Sequence, residues 1–141
     1  VALTMALDQV VEWQHDLEAL LVSTVSGVPL MHFVKGPDGK STQSETFGSN
    51  ELHMSALFSI TAVQIEKMEL GAVRSVTAFY QNMMLIHVNI SPLVLTLIAK
   101  PGANAGALLA MVPSLNESLE PISAAAAETV FSQTTSLVSN E

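Results

Sequence analysis

The chain has 141 residues, of which 49% are hydrophobic, 13% are charged and none is cysteine. That is one domain's length with apolar surface for one core. The excess of 13 Asp and Glu over 5 Lys and Arg, a formal net charge of −8, repels phosphate backbones and anionic lipid and argues against nucleic-acid or direct membrane binding. The lack of cysteine excludes disulfides, thiolate metal sites and thiol nucleophiles, and suits a reducing compartment, so a cytoplasmic location is expected. No basic region followed by a long apolar core opens the chain, so no signal peptide is expected; with Val1 where a methionine would stand, some native residues are expected to precede it.

Leu3, Leu7, Val10 and Val11 recur at helical spacing opposite Thr4, Asp8 and Glu12, which predicts an amphipathic helix over the first dozen residues. The nearly continuous apolar run from Leu17 to Thr24, a turn at Ser26-Gly27 and the segment from Val28 to Lys35 predict a β-hairpin. Pro29 and Lys35 mark the second strand as a guarded sheet edge. From Gly36 to Gly48 the chain offers Gly, Pro, Asp, Ser and Thr with little to bury, which predicts a mobile surface loop.

A long helix is predicted from Ser49 or Asn50, either of which can cap it, to about Leu70, with Gly71 ready for a left-handed residue at its end. Leu52, Ala56, Ile60 and Val63 form one apolar stripe; Met54, Leu57, Phe58, Ile65 and Met68 form another. Together they span roughly 240° of the helix, against the arc of about 100° needed to dock on its own core. The helix is then either buried all round or docks a partner with its second face, and the second reading is preferred.

Three strands follow: Val73 to Tyr80, Met83 to Asn89 after a turn at Gln81-Asn82, and Leu93 to Ala99 after Ser91-Pro92. Polar residues at His87, Asn89 and Ser91 make the apolar zone from Met83 to Ala99 a poor membrane span. Leu108, Met111, Val112, Leu115, Leu119 and Ile122 form the stripe of a last helix, continuous in phase across Pro113, which predicts a kink there. Residues 1–130 read as one domain and residues 131–141 as a frayed polar tail. The fold class is α/β in the α+β sense: a five-stranded antiparallel sheet with the long helix on one face and the terminal helices on the other.

Catalytic chemistry is hard to assemble. The histidines at 15, 32, 53 and 87 lack metal-ligand spacing, no G-x-S-x-G elbow is present, and Glu117 and Glu120 sit on a solvated helix face among Ser114, Asn116 and Ser118. The segment from Pro101 to Gly106 lacks the endings of nucleotide-binding loops and reads as a close-packing turn. No enzyme activity, metal or cofactor is expected. A small-molecule sensor would need convergent polar groups in an apolar concavity, and no such cluster is visible in the sequence.

The turn at Ser26-Gly27-Val28-Pro29, the Tyr80-Gln81-Asn82 segment, and Asn89-Ile90-Ser91-Pro92-Leu93-Val94 with Ile98-Ala99 and Ala103-Asn104-Ala105-Gly106 occur in an order and spacing that resembles the roadblock (longin-like) family. Within it, the pattern is similar to the MEK-binding scaffold branch found in Ragulator. The resemblance implies a heterodimer with a second roadblock-fold subunit, formed edge to edge by the sheets with the central helices packed together. It further implies a scaffold at the late endosomal or lysosomal surface for MEK/ERK kinases and Rag-type GTPases in MAP kinase and TOR signalling, held there through a lipid-anchored partner. A dynein light chain or another roadblock-type regulator of a small GTPase is the alternative within the fold.

The strand from Val73 has one charge and no proline, so its open edge is an aggregation hazard that a partner strand would cover. The candidate partner-binding residues are therefore Val73, Arg74, Ser75, Val76, Thr77, Ala78 and Phe79 on this edge, with Met54, Leu57, Phe58, Thr61, Ile65 and Met68 on the long helix. Val76→Pro is expected to delete a ladder hydrogen bond to the partner.

Overall fold

The computed structural model describes the backbone of residues 2–139 and the side chains of residues 6–128. Its elements in order are α1 (Ala2–Trp13), β1 (Leu17–Thr24), β2 (Pro29–Lys35), β3 (Ser41–Ser44), α2 (Ser49–Glu66), β4 (Ser75–Phe79), β5 (Met84–Ile90), β6 (Leu93–Ala99), α3 (Ala105–Ala110) and α4 (Val112–Ser139). The strands form one antiparallel sheet in the order β3-β2-β1-β6-β5-β4. The apolar runs β1 and β6 lie at its centre, where both faces are covered and alternation is not required.

The sheet has six strands, not five. The extra one, β3, lies in the stretch expected to be a mobile loop, pairs with β2 from His32↔Ser44 to Lys35↔Ser41, and is all Ser, Thr and Gln. Backbone pairing and two acidic side chains of α1 hold it: Ser41 Oγ donates to Asp8 Oδ1 at 2.7 Å, and Ser41 N–H to Glu12 Oε1 at 3.0 Å. In consequence β2 is an interior strand and not the guarded edge; Pro29 is its first residue, where a missing donor is tolerated.

The main core lies on the face covered by α1, α3 and α4, where Leu7, Val11, Leu20, Phe33, Ile86, Leu95, Leu97, Leu115 and Leu119 are buried together. Leu3 of the predicted α1 stripe has its side chain outside the described residues. Among the described residues, the opposite face carries only α2 and two small clusters: Ala19, Leu85 and Ile98 with Met54, and Phe58, Ala62 and Val94 with Val73 and Val76. Gly27 sets how closely the β1–β2 turn approaches this helix. Its φ of +96° suits glycine, and a Cβ there would stand 3.2 Å from Ala56 Cα.

Both ends of α2 differ from expectation. Gly48 occupies the cap position, without a side-chain acceptor, in place of Ser49 or Asn50. The helix stops at Glu66, and the left-handed conformation is taken first by Glu69 (φ 59°) and then by Gly71 (φ 99°). Glu66 Oε1 accepts a hydrogen bond from Val73 N–H at 3.2 Å, and Asn89 Nδ2 donates to Val73 carbonyl O at 3.1 Å, so the connection is tied into β4.

At the C-terminal end, Pro113 does not kink one helix; it falls in the first turn of a second. The chain breaks at Met111 between α3 and α4, which leaves Pro113 in the first turn of α4, where its missing N–H is accepted; Pro121 lies inside α4 without ending it. Asn104 caps α3 by accepting from Ala107 N–H at 3.1 Å, so the segment from Pro101 to Gly106 is a turn and a helix cap. Helix α4 continues to Ser139, through the stretch expected to fray.

Candidate interaction surface

The sheet has two open edges, and the direction of the backbone groups distinguishes them. Tyr80 N–H donates to Met83 carbonyl O, and Asn89 N–H donates to Arg74 carbonyl O. In an antiparallel ladder hydrogen-bonded and non-bonded pairs alternate, so Arg74, Val76, Ala78 and Tyr80 point their backbone groups at β5. Ser75, Thr77 and Phe79 therefore direct theirs outward. At the other edge, the Gly36 N–H to Lys40 carbonyl bond sets the same alternation, leaving the Ser41 and Gln43 amides outward, and Ser41 already donates to Glu12. The β4 edge is the better template for strand addition.

This alternation corrects the expectation for Val76→Pro: the Val76 amide serves the internal ladder with β5, opposite His87. The position whose N–H faces the open edge is Thr77.

Next to this edge, α2 and the connection that follows it turn an apolar surface outward. On α2, Ile60 is 64% and Val63 55% exposed, with Leu52 and Ile65 also exposed; just past its end, Met68 (67%) and Leu70 continue the surface. Phe79 and Tyr80 at the end of β4 continue the apolar surface. Of the helix residues proposed from sequence, Ile65 and Met68 are exposed, Met54, Leu57 and Thr61 are half-buried, and Phe58 is only 3% exposed. Phe58 packs against Val94 in the sheet and leaves the candidate surface; Leu52, Ile60 and Val63 take its place. On the strand, Arg74, Ser75 and Phe79 are exposed while Val73, Val76, Thr77 and Ala78 are half-buried.

Beneath α2 the sheet is unexpectedly polar. Register places His32, Leu21, Thr96, His87 and Val76 in one row across five strands. His87 is fully buried, its Nδ1 lies 2.9 Å from Thr96 Oγ1, and burial pushes its pKa down to about 4. Burial also lowers the pKa of His32, with Glu51 pulling weakly the other way. His87 Nε2, His32 Nδ1 and Ser23 Oγ find no hydrogen-bond partner among the described residues. The helix thus rests on a small apolar contact beside unsatisfied polar groups. No group of three His, Cys, Asp or Glu that could hold a metal ion occurs among the described residues, and no described helix is long and apolar enough to cross a membrane.

The family model described as mitogen-activated protein kinase kinase 1 interacting matches residues 2–126. The chain belongs to that family. No curated protein matches it by sequence. Among solved structures it is similar to a roadblock/LC7 domain from Streptomyces avermitilis, with TM-score 0.61 and 21% identity over 85% of this chain and 93% of that one. It is also similar to the gliding protein MglB of Thermus thermophilus, with TM-score 0.60 and 11% identity over 86% and 88% of the two chains. Myxococcus xanthus MglB gives TM-score 0.57 and 11% identity over 83% and 94%. These likenesses establish the roadblock fold. The family is one of kinase-kinase-interacting proteins, which is an adaptor or scaffold type.

Proposed function

We propose that this protein is a non-enzymatic scaffold subunit that pairs with a second roadblock-fold subunit through the β4 edge and the outer face of α2. The observation that carries the reading is the coincidence of two unspent surfaces. Outward backbone groups at Ser75, Thr77 and Phe79 lie beside a helix whose Ile60 and Val63, with Met68 just past its end, are mostly uncovered by their own chain. Strand addition would continue the sheet, and the partner's helix would cover the apolar stripe.

Membership of a kinase-interacting family supports the finer reading. The heterodimer helps assemble MEK/ERK and Rag-type GTPase signalling at the cytosolic face of late endosomes or lysosomes, reaching the membrane through a lipid-anchored partner. The test is reconstitution with the roadblock-fold subunits of Ragulator, read by light scattering after size exclusion and by recruitment to endosomes in cells. A one-to-one complex that recruits kinase to that surface is expected. A chain that stays a soluble monomer in their presence refutes the pairing, and a complex that never reaches endosomes refutes the location.

A further inference from the structure

A cavity of about 520 Å³ opens between the first half of α2 and the turn joining β4 to β5. Its size falls within the roughly 300–1,000 Å³ usual for small-molecule sites. Met54 and Leu57 of α2 and Met83 and Leu85 beside them form its apolar wall. Two thioethers in that wall give an aromatic ring polarizable neighbours.

The polar groups are of one kind. Three carboxamides, Asn50, Gln81 and Asn82, line the cavity with the Tyr80 phenol and the His53 imidazole. None of these five side chains makes a hydrogen bond elsewhere among the described residues, so their donors and acceptors are available. A carboxamide sets a donor beside an acceptor, and the matching ligand edge carries the same pair reversed, as an amide or lactam does. No Asp, Glu, Lys or Arg lines the cavity, in a chain whose net charge is −8. The five polar lining residues are themselves exposed, so the cavity is open to solvent; an anion there would meet the repulsion of the whole chain with no lining cation to offset it.

We propose that this cavity binds an uncharged aromatic amide or lactam-type heterocycle, its ring against the methionine and leucine wall and its amide edge on the carboxamides. This goes beyond the scaffold reading: every lining group comes from one chain, but Met54, Leu57 and Tyr80 also border the proposed partner surface, so the cavity is open in the unpaired chain, where it is tested. It also reverses the sequence expectation that no polar groups converge on an apolar concavity.

Benzamide and benzoate, alike in shape and different in charge, are the probes, titrated into the full chain carrying ¹³C-methyl methionine. Benzamide is expected to shift the Met54 and Met83 methyl signals saturably, to leave Met31 and Met111 on the opposite sheet face unmoved, and to bind about tenfold tighter than benzoate. Leu57→Trp should fill the cavity and abolish the shifts. Should that variant fail to fold, Asn82→Ala on the exposed turn should weaken benzamide by about fivefold through one lost hydrogen bond. Benzoate binding as tightly as benzamide, or no saturable shift at Met54 and Met83, would overturn the proposal; a normal heterodimer in the same preparation would leave the scaffold reading standing.

Discussion

Replacing Thr77 by proline tests the direction of the β4 backbone. The Thr77 N–H faces the open edge, so proline removes no hydrogen bond inside the sheet, and an edge position with a solvent-facing N–H tolerates it. Val76→Pro, one residue earlier, removes a bond to β5 beside the buried His87 and leaves a β5 carbonyl unsatisfied, a cost to the isolated chain of about 2–3 kcal/mol. In the complex the order reverses for Thr77→Pro. It deletes one intermolecular bond and leaves a partner carbonyl unsatisfied, a loss of about 2–3 kcal/mol. By the affinity relation that is roughly a 30- to 140-fold rise in Kd. Chemical denaturation of each variant alone and titration calorimetry with the partner provide the two readouts. Thr77→Pro that binds normally, or that unfolds as readily as Val76→Pro, would refute the register and with it the assigned edge.

Ile60→Asp on the outer face of α2 should change the stability of the isolated chain by less than about 0.5 kcal/mol, because Ile60 is already mostly exposed, yet block pairing in the same calorimetric assay. Without its partner the wild-type chain should self-associate at high concentration through this stripe, and sedimentation should show the association weakened in Ile60→Asp. Gly27→Ala should destabilise the fold by about 1–2 kcal/mol in thermal melts, from its φ of +96° and the contact with Ala56. His87 titrates at about 4 when folded and near its ordinary 6.5 when unfolded, so the unfolded chain binds the extra proton. Its contribution is complete above pH 6.5 and falls by about 3 kcal/mol as pH drops to 4. Urea midpoints between pH 7 and 5 should slope accordingly, and His87→Leu should flatten that slope.

The sheet's centre was legible because β1 and β6 are almost wholly apolar, and a run of that length bounded by Ser26-Gly27 or Ser91-Pro92 has few other fates. The third strand was not, since Ser41-Thr42-Gln43-Ser44 has no buried side to pattern and its order comes from Asp8 and Glu12, over thirty and nearly thirty residues away. An apolar excess on α2 was readable, but which residues carry it outward was not. On a helix apolar nearly all round, periodicity alone does not choose a phase, and Phe58 went to the core while Ile60 and Val63 stayed outside. The phase continuity of the last stripe concealed the break at Met111, after which Pro113 falls in the first turn of α4. Backbone direction on β4 leaves no trace in side-chain types, so Val76 and Thr77 could be told apart only from hydrogen bonds. The carboxamide cavity escaped notice for a related reason: Asn50 and Asn82 belong to different elements and meet only after α2 crosses the sheet.

Residue-resolved amide exchange, with and without the partner subunit, tests the proposed interface most directly. The Ser75, Thr77 and Phe79 amides are predicted to exchange freely in the isolated chain and to become protected on pairing, while Val76 and Ala78 are protected in both states. Protection gained instead at Gln43 on the β3 edge, with Ser75, Thr77 and Phe79 still exchanging freely, would contradict the assignment.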